Sequence, residues 1–410
     1  MNRMHIDFAM ARHDREDLVL RAIAEEALDF LLEHVDVDTI RCVLLTGSVA
    51  NGEGTVIRDG SSMVTSDFDF VIYMGFFDFL RKRAHLQNLS KQITTRLGKR
   101  GINTHITLLP STSILQKNVS FPNAKIYEYE FAFASKCLFG KSLSFDRTVR
   151  PSKKDALELT FTVVSDLVFS NLKNFTKIEE SYIYAKRALT LLNSALIFNG
   201  VFAKTYEKRM KIAKEYASKG AIPLNQDEIK VLEIFTEYKL SGSFQHLLDS
   251  FGCKDVDDLI KFQREFLKRM TTKILYYGLM VLVGKPMKIN FKYSNSLQNM
   301  ISEFPELLRE YSKNSKARSL SRIIGIIICV FGLFARDRER KELFTAFIFH
   351  KQPPKVILNV LATLLLVGGG NVSAMRILRE IFPWIDFSDV LAIQKMFALW
   401  QVAEQSVKLS

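Results

Sequence analysis

Val43-Leu44-Leu45-Thr46-Gly47-Ser48, followed after a Gly-rich stretch by Ser66-Asp67-Phe68-Asp69-Phe70-Val71-Ile72-Tyr73, decides the reading of this chain. Each half pairs an apolar run with a polar motif at one end. The pattern predicts a strand, a Gly-Ser turn, a polar loop, and a second strand that carries two carboxylates. Successive strand side chains point to opposite faces, so Asp67 and Asp69 share one face while Phe68 and Phe70 enter the core. Two adjacent carboxylates on a rigid strand, facing a Gly-Ser turn, suit the holding of Mg²⁺ against a polyphosphate. Mg²⁺ takes one or two carboxylates and completes its shell with phosphate oxygens. Ser48 offers backbone N–H and hydroxyl donors, and Gly47 lets the backbone come close to phosphates.

Gly47-Ser48 followed by Ser66-Asp67-x-Asp69 resembles the signature of the DNA polymerase β-like nucleotidyltransferase superfamily. The fuller run Gly47-Ser48-Val49-Ala50-Asn51-Gly52 resembles the Gly-Ser-x-Ala-x-Gly form of its small bacterial and archaeal members. The likeness covers roughly the first third of the chain. It implies an α+β fold, a mixed sheet with flanking helices followed by all-helical domains. It also implies transfer of a nucleoside monophosphate from an NTP, ATP above all, to an acceptor hydroxyl with release of pyrophosphate. Asp67 and Asp69 would be the catalytic Mg²⁺ ligands. Gly47, Ser48 and Ser66 would lie at the nucleotide, joined by Lys186 from a later helix.

One departure from the family matters. Many members carry a third metal-binding carboxylate on the strand expected at Asn103 to Leu109, closed by Pro110. Here that strand offers His105, Thr107 and Leu109 on one face and Thr104, Ile106 and Leu108 on the other, without an acid. Glu128 and Glu130 are the nearest substitutes, although Ile126 to Gly140 reads as a helix packed by Phe131, Ala134 and Leu138. Leu138-Phe139-Gly140 resembles the Leu-aromatic-Gly that closes the catalytic domain in relatives.

The chain has 410 residues, 48% of them hydrophobic, with 32 Phe and a net charge of +13. Such a length buries a sizeable core and accommodates two or three domains. The positive balance favours polyanionic partners such as nucleotides, RNA or anionic membrane surfaces. From Arg81 to Lys117 there are eight basic residues (Arg81, Lys82, Arg83, Lys91, Arg96, Lys99, Arg100 and Lys117) and no acid. That run reads as a solvated helix face or a nucleic-acid patch. Cys42, Cys137, Cys253 and Cys329 are widely spaced and read as reduced core thiols in a cytoplasmic protein. Ile323 to Phe334 is too short to span a bilayer. Val356 to Met375 contains Gly368-Gly369-Gly370, which reads as a stop between buried helices, so no transmembrane segment is expected.

Helical periodicity marks 14–35, where Leu18, Leu20, Ile23, Ala27, Leu28, Leu31 and Leu32 form the expected apolar stripe. Thr55 to Arg58 and Met63 to Thr65 read as a hairpin about Asp59-Gly60. Residues 76–100 read as a helix. Beyond Arg150 the pattern is helical over 155–172, 179–199, 203–218, 227–239 and 255–283, with a possible short strand at Lys288 to Tyr293. The expected organisation is a nucleotidyltransferase domain at 1–150, a helical domain at 151–290 and a C-terminal helical domain at 291–410. Two alternatives stay open: an enzyme that acts on RNA or forms nucleotide signals, and a non-catalytic nucleotide-binding protein lacking the third carboxylate.

Overall fold

A computed structural model describes residues 6, 8–60, 62–111, 134–141, 150–169 and 175–284, with isolated positions at 303, 307 and 310. Glu128, Glu130, the segment Lys288 to Tyr293 and both apolar stretches after 320 lie outside the described residues. By compactness the chain forms two units, residues 1–155 with 176–263 and residues 156–175 with 264–410. The architecture is α+β.

The first unit begins with helix α1 (Asp14–His34), opened by Asp14, Glu16 and Asp17 against the positive end of the helix dipole. Strand β1 (Ile40–Thr46) runs directly into a single helical turn, α2 (Gly47–Ala50). The hairpin β2 (Val56–Asp59) and β3 (Ser62–Thr65) follows, then β4 (Phe68–Met74) and the long helix α3 (Phe76–Gly98). After β5 (Ile102–Asn103) and β6 (Ile106–Ser111) comes β7 (Lys136–Gly140). A four-stranded mixed sheet has the order β6-β4-β1-β7, with β4 and β6 parallel and the other pairs antiparallel. A smaller sheet, β2-β3-β5, lies beside it in sequence.

Alternation along β4 divides the larger sheet into two faces. Phe68, Phe70, Ile72 and Met74 are buried together with Val43 and Leu45 of β1, under Leu20, Ile23, Ala27 and Leu31 of α1 and Leu86, Leu89, Ile93 and Leu97 of α3. The other face carries Cys42, Leu44, Val71 and Tyr73 toward its middle and the two aspartates at its end.

Three local expectations change. The strand expected at Asn103 to Leu109 is split: Ile102-Asn103 joins the small sheet and Ile106–Ser111 the large one. Thr104 and His105 form the step between them, and Pro110 sits inside β6, tolerated because β6 is an edge strand. Residues 136–140, read as part of a helix, form a strand against β1. A short apolar run, Cys137-Leu138-Phe139, before a glycine fits either state by pattern alone, and the open edge of β1 selects the strand. Leu18 is 67% exposed, because it falls almost half a turn away from the stripe set by Leu20, Ile23, Ala27 and Leu31. The cysteines also come together more than their spacing suggests: the Sγ atoms of Cys42 and Cys137 are 3.6 Å apart, both as free thiols.

The helical part of this unit comprises α5 (Lys177–Phe198), α6 (Tyr206–Ser218), α7 (Gln226–Ser241) and α8 (Phe244–Phe251), while α4 (Lys153–Phe169) and α9 (Val256–Val283) each run from the first unit into the second. Capping boxes start α5 at Thr176/Glu179 and α7 at Asn225/Glu228. Gly242 ends α7 in the left-handed conformation, and a Cβ there would come within 2.3 Å of the Val56 carbonyl oxygen. Helix α7 therefore docks against β2 backbone to backbone. Within the second unit, Leu157, Phe161 and Val164 of α4 and Leu267, Met270, Ile274 and Leu279 of α9 are buried. Among the described residues no helix is long and apolar enough to cross a membrane.

Their different burial predicts unequal costs of truncating Phe70 and Leu18. Phe70→Ala opens a cavity at a fully buried position and should lower the unfolding free energy by ~3–5 kcal/mol. Leu18→Ala should change it by no more than ~0.5 kcal/mol. Urea denaturation followed by circular dichroism checks the pair, and equal losses would place Phe70 outside the core.

Candidate active site

The antiparallel register of β1 and β4 places Thr46 opposite Asp69, so the Gly-Ser turn begins beside the second carboxylate. Gly47 adopts φ +78°, and a Cβ built there would stand 3.6 Å from Asp69 Oδ2. The Thr46 hydroxyl donates to the Asp69 carbonyl oxygen at 3.3 Å. Ser48, half-buried in α2, accepts the Glu53 amide on its carbonyl oxygen at 2.9 Å, which folds the following loop back under the turn. The two motifs noted in the sequence are thus in contact through Gly47 and Asp69.

Asp67 and Asp69 project from the face opposite Phe68 and Phe70 and remain partly exposed, whereas both rings are fully buried. Lys186, on α5, forms an ion pair with Asp67 through Oδ2. Burial would raise the Asp67 carboxyl, but Lys186, with help from His105 and Arg187, holds it below the usual carboxylate range. Asp69 is displaced the other way. Burial and the negative charge of Asp67 push it up, only partly opposed by Lys186, a hydrogen bond from Thr107 and His105. Lys186 in turn is held strongly protonated: burial disfavours its charge, but Asp67 outweighs that.

Parallel pairing of β4 and β6 puts Thr107 opposite Asp69. Thr107 and exposed His105 therefore lie on the carboxylate face, as alternation requires, while Ile106 and Leu108 are buried on the other. At the position where the resemblance expects a third carboxylate, the chain presents a hydroxyl. Among the described residues no group of three or more His, Cys, Asp or Glu side chains is placed to hold a metal ion. The donor set that exists, two carboxylates crowded enough to raise one of them, fits a single Mg²⁺ completed by substrate phosphates and water.

Compared with protein-family models, with curated proteins and with solved structures, the chain matches none. The site is therefore read from its own geometry.

Ser66 is placed differently from the other motif residues. It is 1% exposed, and its hydroxyl meets the Thr55 amide at 2.9 Å, the Lys239 ammonium at 2.9 Å and the Tyr182 hydroxyl at 3.2 Å. Its position is beneath the site, supporting Asp67, and its side chain has no lone pair left for a ligand. Lys239, which sequence reasoning passed over, lies 1% exposed on α7 within this support. A lysine late in an amphipathic helix reads as solvated, and the only hint was its phase among the buried Leu232, Phe235 and Tyr238. Tyr182 is also buried here; burial opposes its ionisation, yet Lys239 and Lys186 leave its hydroxyl more acidic than usual.

These shifts fix a pH dependence. Asp67, with a lowered folded pKa, contributes stability above the ordinary range near ~3.9 and loses it as pH falls through that lowered value. Asp69, with a raised folded pKa, favours the native state when protonated and loses that contribution as pH rises through it. Metal binding needs Asp69 ionised, so Mn²⁺ affinity should climb by up to about tenfold per pH unit until Asp69 has titrated. Asp67→Asn removes the like charge and should move the Asp69 titration downward. Carboxyl-carbon NMR of both proteins checks this, and an unmoved Asp69 titration would show that the two carboxylates do not sense each other.

Proposed function

We propose that this chain is a Mg²⁺-dependent nucleotidyltransferase built on a polymerase β-like core. An acceptor hydroxyl attacks the α-phosphate of a nucleoside triphosphate, and pyrophosphate leaves. The observation that carries the reading is the contact of the two motifs: Gly47, free of a side chain, abuts Asp69, with Asp67 on the same face and an ammonium across from it. Bound Mg²⁺ would supply charge neutralisation on the triphosphate and on the approaching acceptor oxygen.

The chain's own residues divide the remaining work. Asp67 and Asp69 hold the cation. The backbone at Gly47 and Ser48 admits the phosphates closely, because nothing projects from Gly47. Lys186 is bonded to Asp67 and passes to a phosphate oxygen when substrate and metal bring their own charges to the site. Preorganised charges of this kind stabilise developing negative charge without reorganising at the moment of transfer. Exposed His105, on the same face as both carboxylates, is a candidate to take the acceptor proton in its neutral form.

Thr107 favours a second reading, in which the chain binds nucleotide without transferring it. The two readings part on turnover: Mg²⁺-dependent NTP binding belongs to both, pyrophosphate release to the first alone. For the acceptor, the basic helix gives limited support to RNA. Arg96 and Arg100 both bond Glu26, and α3 packs on the sheet face opposite the carboxylates. An acceptor engaged elsewhere than on α3, a small molecule or protein hydroxyl, accords better with that placement.

Asp67→Asn and Asp69→Asn should each abolish transfer in a protein that still folds; Asp67→Asn should lower the melting temperature because it removes the carboxylate partner of Lys186, whereas Asp69→Asn should not. Incubation with each radiolabelled NTP, Mg²⁺ and cell extract shows whether label enters small molecules, protein or RNA. Full turnover in the double variant would remove metal-assisted transfer. Gly47→Val should weaken NTP binding, because a β-branched side chain at φ +78° is both strained and in the way of the phosphates. Ser48→Ala should weaken it less, and unchanged affinity in both would take the turn out of the nucleotide site.

A further inference from the structure

We propose that Lys239 is a positioning residue for the carboxylate strand, an inference that rests on the nucleotidyltransferase reading for its kinetic consequence but not for its structural one. Its ammonium is buried and donates to three oxygens: the Glu53 carbonyl at 3.1 Å, the Thr55 hydroxyl at 2.6 Å and the Ser66 hydroxyl at 2.9 Å. The rings of Tyr182 and Tyr206 stand 5.6 and 5.5 Å from Nζ, within cation–π range. All three acceptors belong to the segment that links the Gly-Ser turn to Asp67.

Proton bookkeeping gives this network one direction. Thr55 Oγ1 donates its proton to the Lys239 carbonyl oxygen at 2.5 Å, so toward Nζ it can only accept. Ser66 Oγ receives the Thr55 amide and the Lys239 ammonium, which fills both lone pairs. Its own proton therefore goes to the Tyr182 hydroxyl, on the helix that also carries Lys186. The Ser66 backbone is equally committed: its amide donates to the Thr55 carbonyl at 3.0 Å, and its carbonyl accepts from the Thr104 hydroxyl at 3.0 Å and the Thr65 hydroxyl at 3.2 Å. Every polar atom of the residue before Asp67 is thus assigned a partner, and the one charged partner among them is Lys239.

A buried ammonium is a weak source of net stability, since an apolar residue of similar volume often serves as well. What the ammonium adds is a single geometry. It draws three oxygens from two positions in the loop and one at the strand entry toward one point, and it does so from the helix whose end abuts the Val56 carbonyl at Gly242. Asp67 follows Ser66 directly, so its angle toward Lys186 and Asp69 is set from below by Lys239. Lys239 is buried from solvent, which separates its role from that of Gly47, Ser48 and Lys186.

Two measurements on the full chain test this. Lys239→Met keeps the length of the side chain and removes the ammonium. Hydrogen exchange of the Thr55 and Ser66 amides should speed up about tenfold or more, as expected for losing a charged hydrogen bond at one point of a cooperative network, while the β1 amides from Cys42 to Leu45 stay unchanged. In transfer assays kcat should fall on the order of 10²-fold, the size of loss that follows from ångström-scale misplacement, with KM for NTP held within about threefold. Should Lys239→Met fail to fold, Thr55→Val removes one of the three acceptors with little change in volume, leaves the Thr55 and Ser66 amides with their own acceptors, and is read by the same two measurements. If wild-type protein transfers no nucleotide, the function reading fails and exchange at Thr55 and Ser66 alone decides the positioning role. Unchanged exchange in a folded variant, or faster exchange with kcat intact in an active enzyme, overturns the proposal.

Discussion

The antiparallel register between β1 and β4 is the constraint on which the site depends. Pairing Thr46 with Asp69 and Leu45 with Phe70 makes two things true at once. The phenyl rings of Phe68 and Phe70 drop into the layer covered by α1 and α3, and the carboxylates of Asp67 and Asp69 are left on the opposite face beside Gly47. A slip of one residue would exchange rings and carboxylates between faces. Burying two phenyl rings fully is worth roughly 1.5–3 kcal/mol each, which sets a steep penalty against that slip and against relaxation of the crowded carboxylates. The charge cluster is therefore held in place by the core behind it, not by its own attractions.

Much of this was legible from periodicity. The apolar runs at 43–46 and 68–73, the hairpin about Asp59-Gly60, and the helical spacing over 179–199 and 227–239 are local statements, and local propensity, pattern and tertiary packing agree on them. His105 and Thr107 were also placed correctly on the carboxylate face, because alternation survives even though the strand is broken just before Ile106. Failures arose where a residue's role is set by something distant. The strand at Lys136–Gly140 exists because β1 has an edge to fill. Cys42 and Cys137 meet only through that pairing.

Lys239 and Ser66 illustrate the same limit at the site itself. In sequence, Ser66 sits next to Asp67 and reads as part of a ligand-binding motif, while Lys239 reads as one more basic residue on a helix. Burial reverses both impressions. A serine whose lone pairs are filled by an amide and an ammonium supports the site from below, and a lysine surrounded by oxygens and two aromatic rings belongs to the interior. No pattern within a single element carries this information, because the partners are spread over the loop after α2, the entry to β4, and helices α5 to α7.

The balance of charge around the carboxylates suggests why Lys186 is bonded to Asp67. Asp67 is paired with Lys186 and also feels Arg187, while Asp69 is pushed up first by burial and then by the negative charge of Asp67. A proton on Asp69 relieves the repulsion between the carboxylates at low pH; a divalent cation held by both would relieve it at neutral pH and loosen the hold of Asp67 on Lys186. A released ammonium needs a new anion, and a triphosphate is the anion that arrives with Mg²⁺. On this reasoning the metal favours nucleotide binding, because a triphosphate arriving without the cation would add negative charge beside two carboxylates. A hydroxyl at Thr107 in place of a third acid spares the pair a further like charge, and its hydrogen bond to Asp69 instead favours the ionised carboxylate.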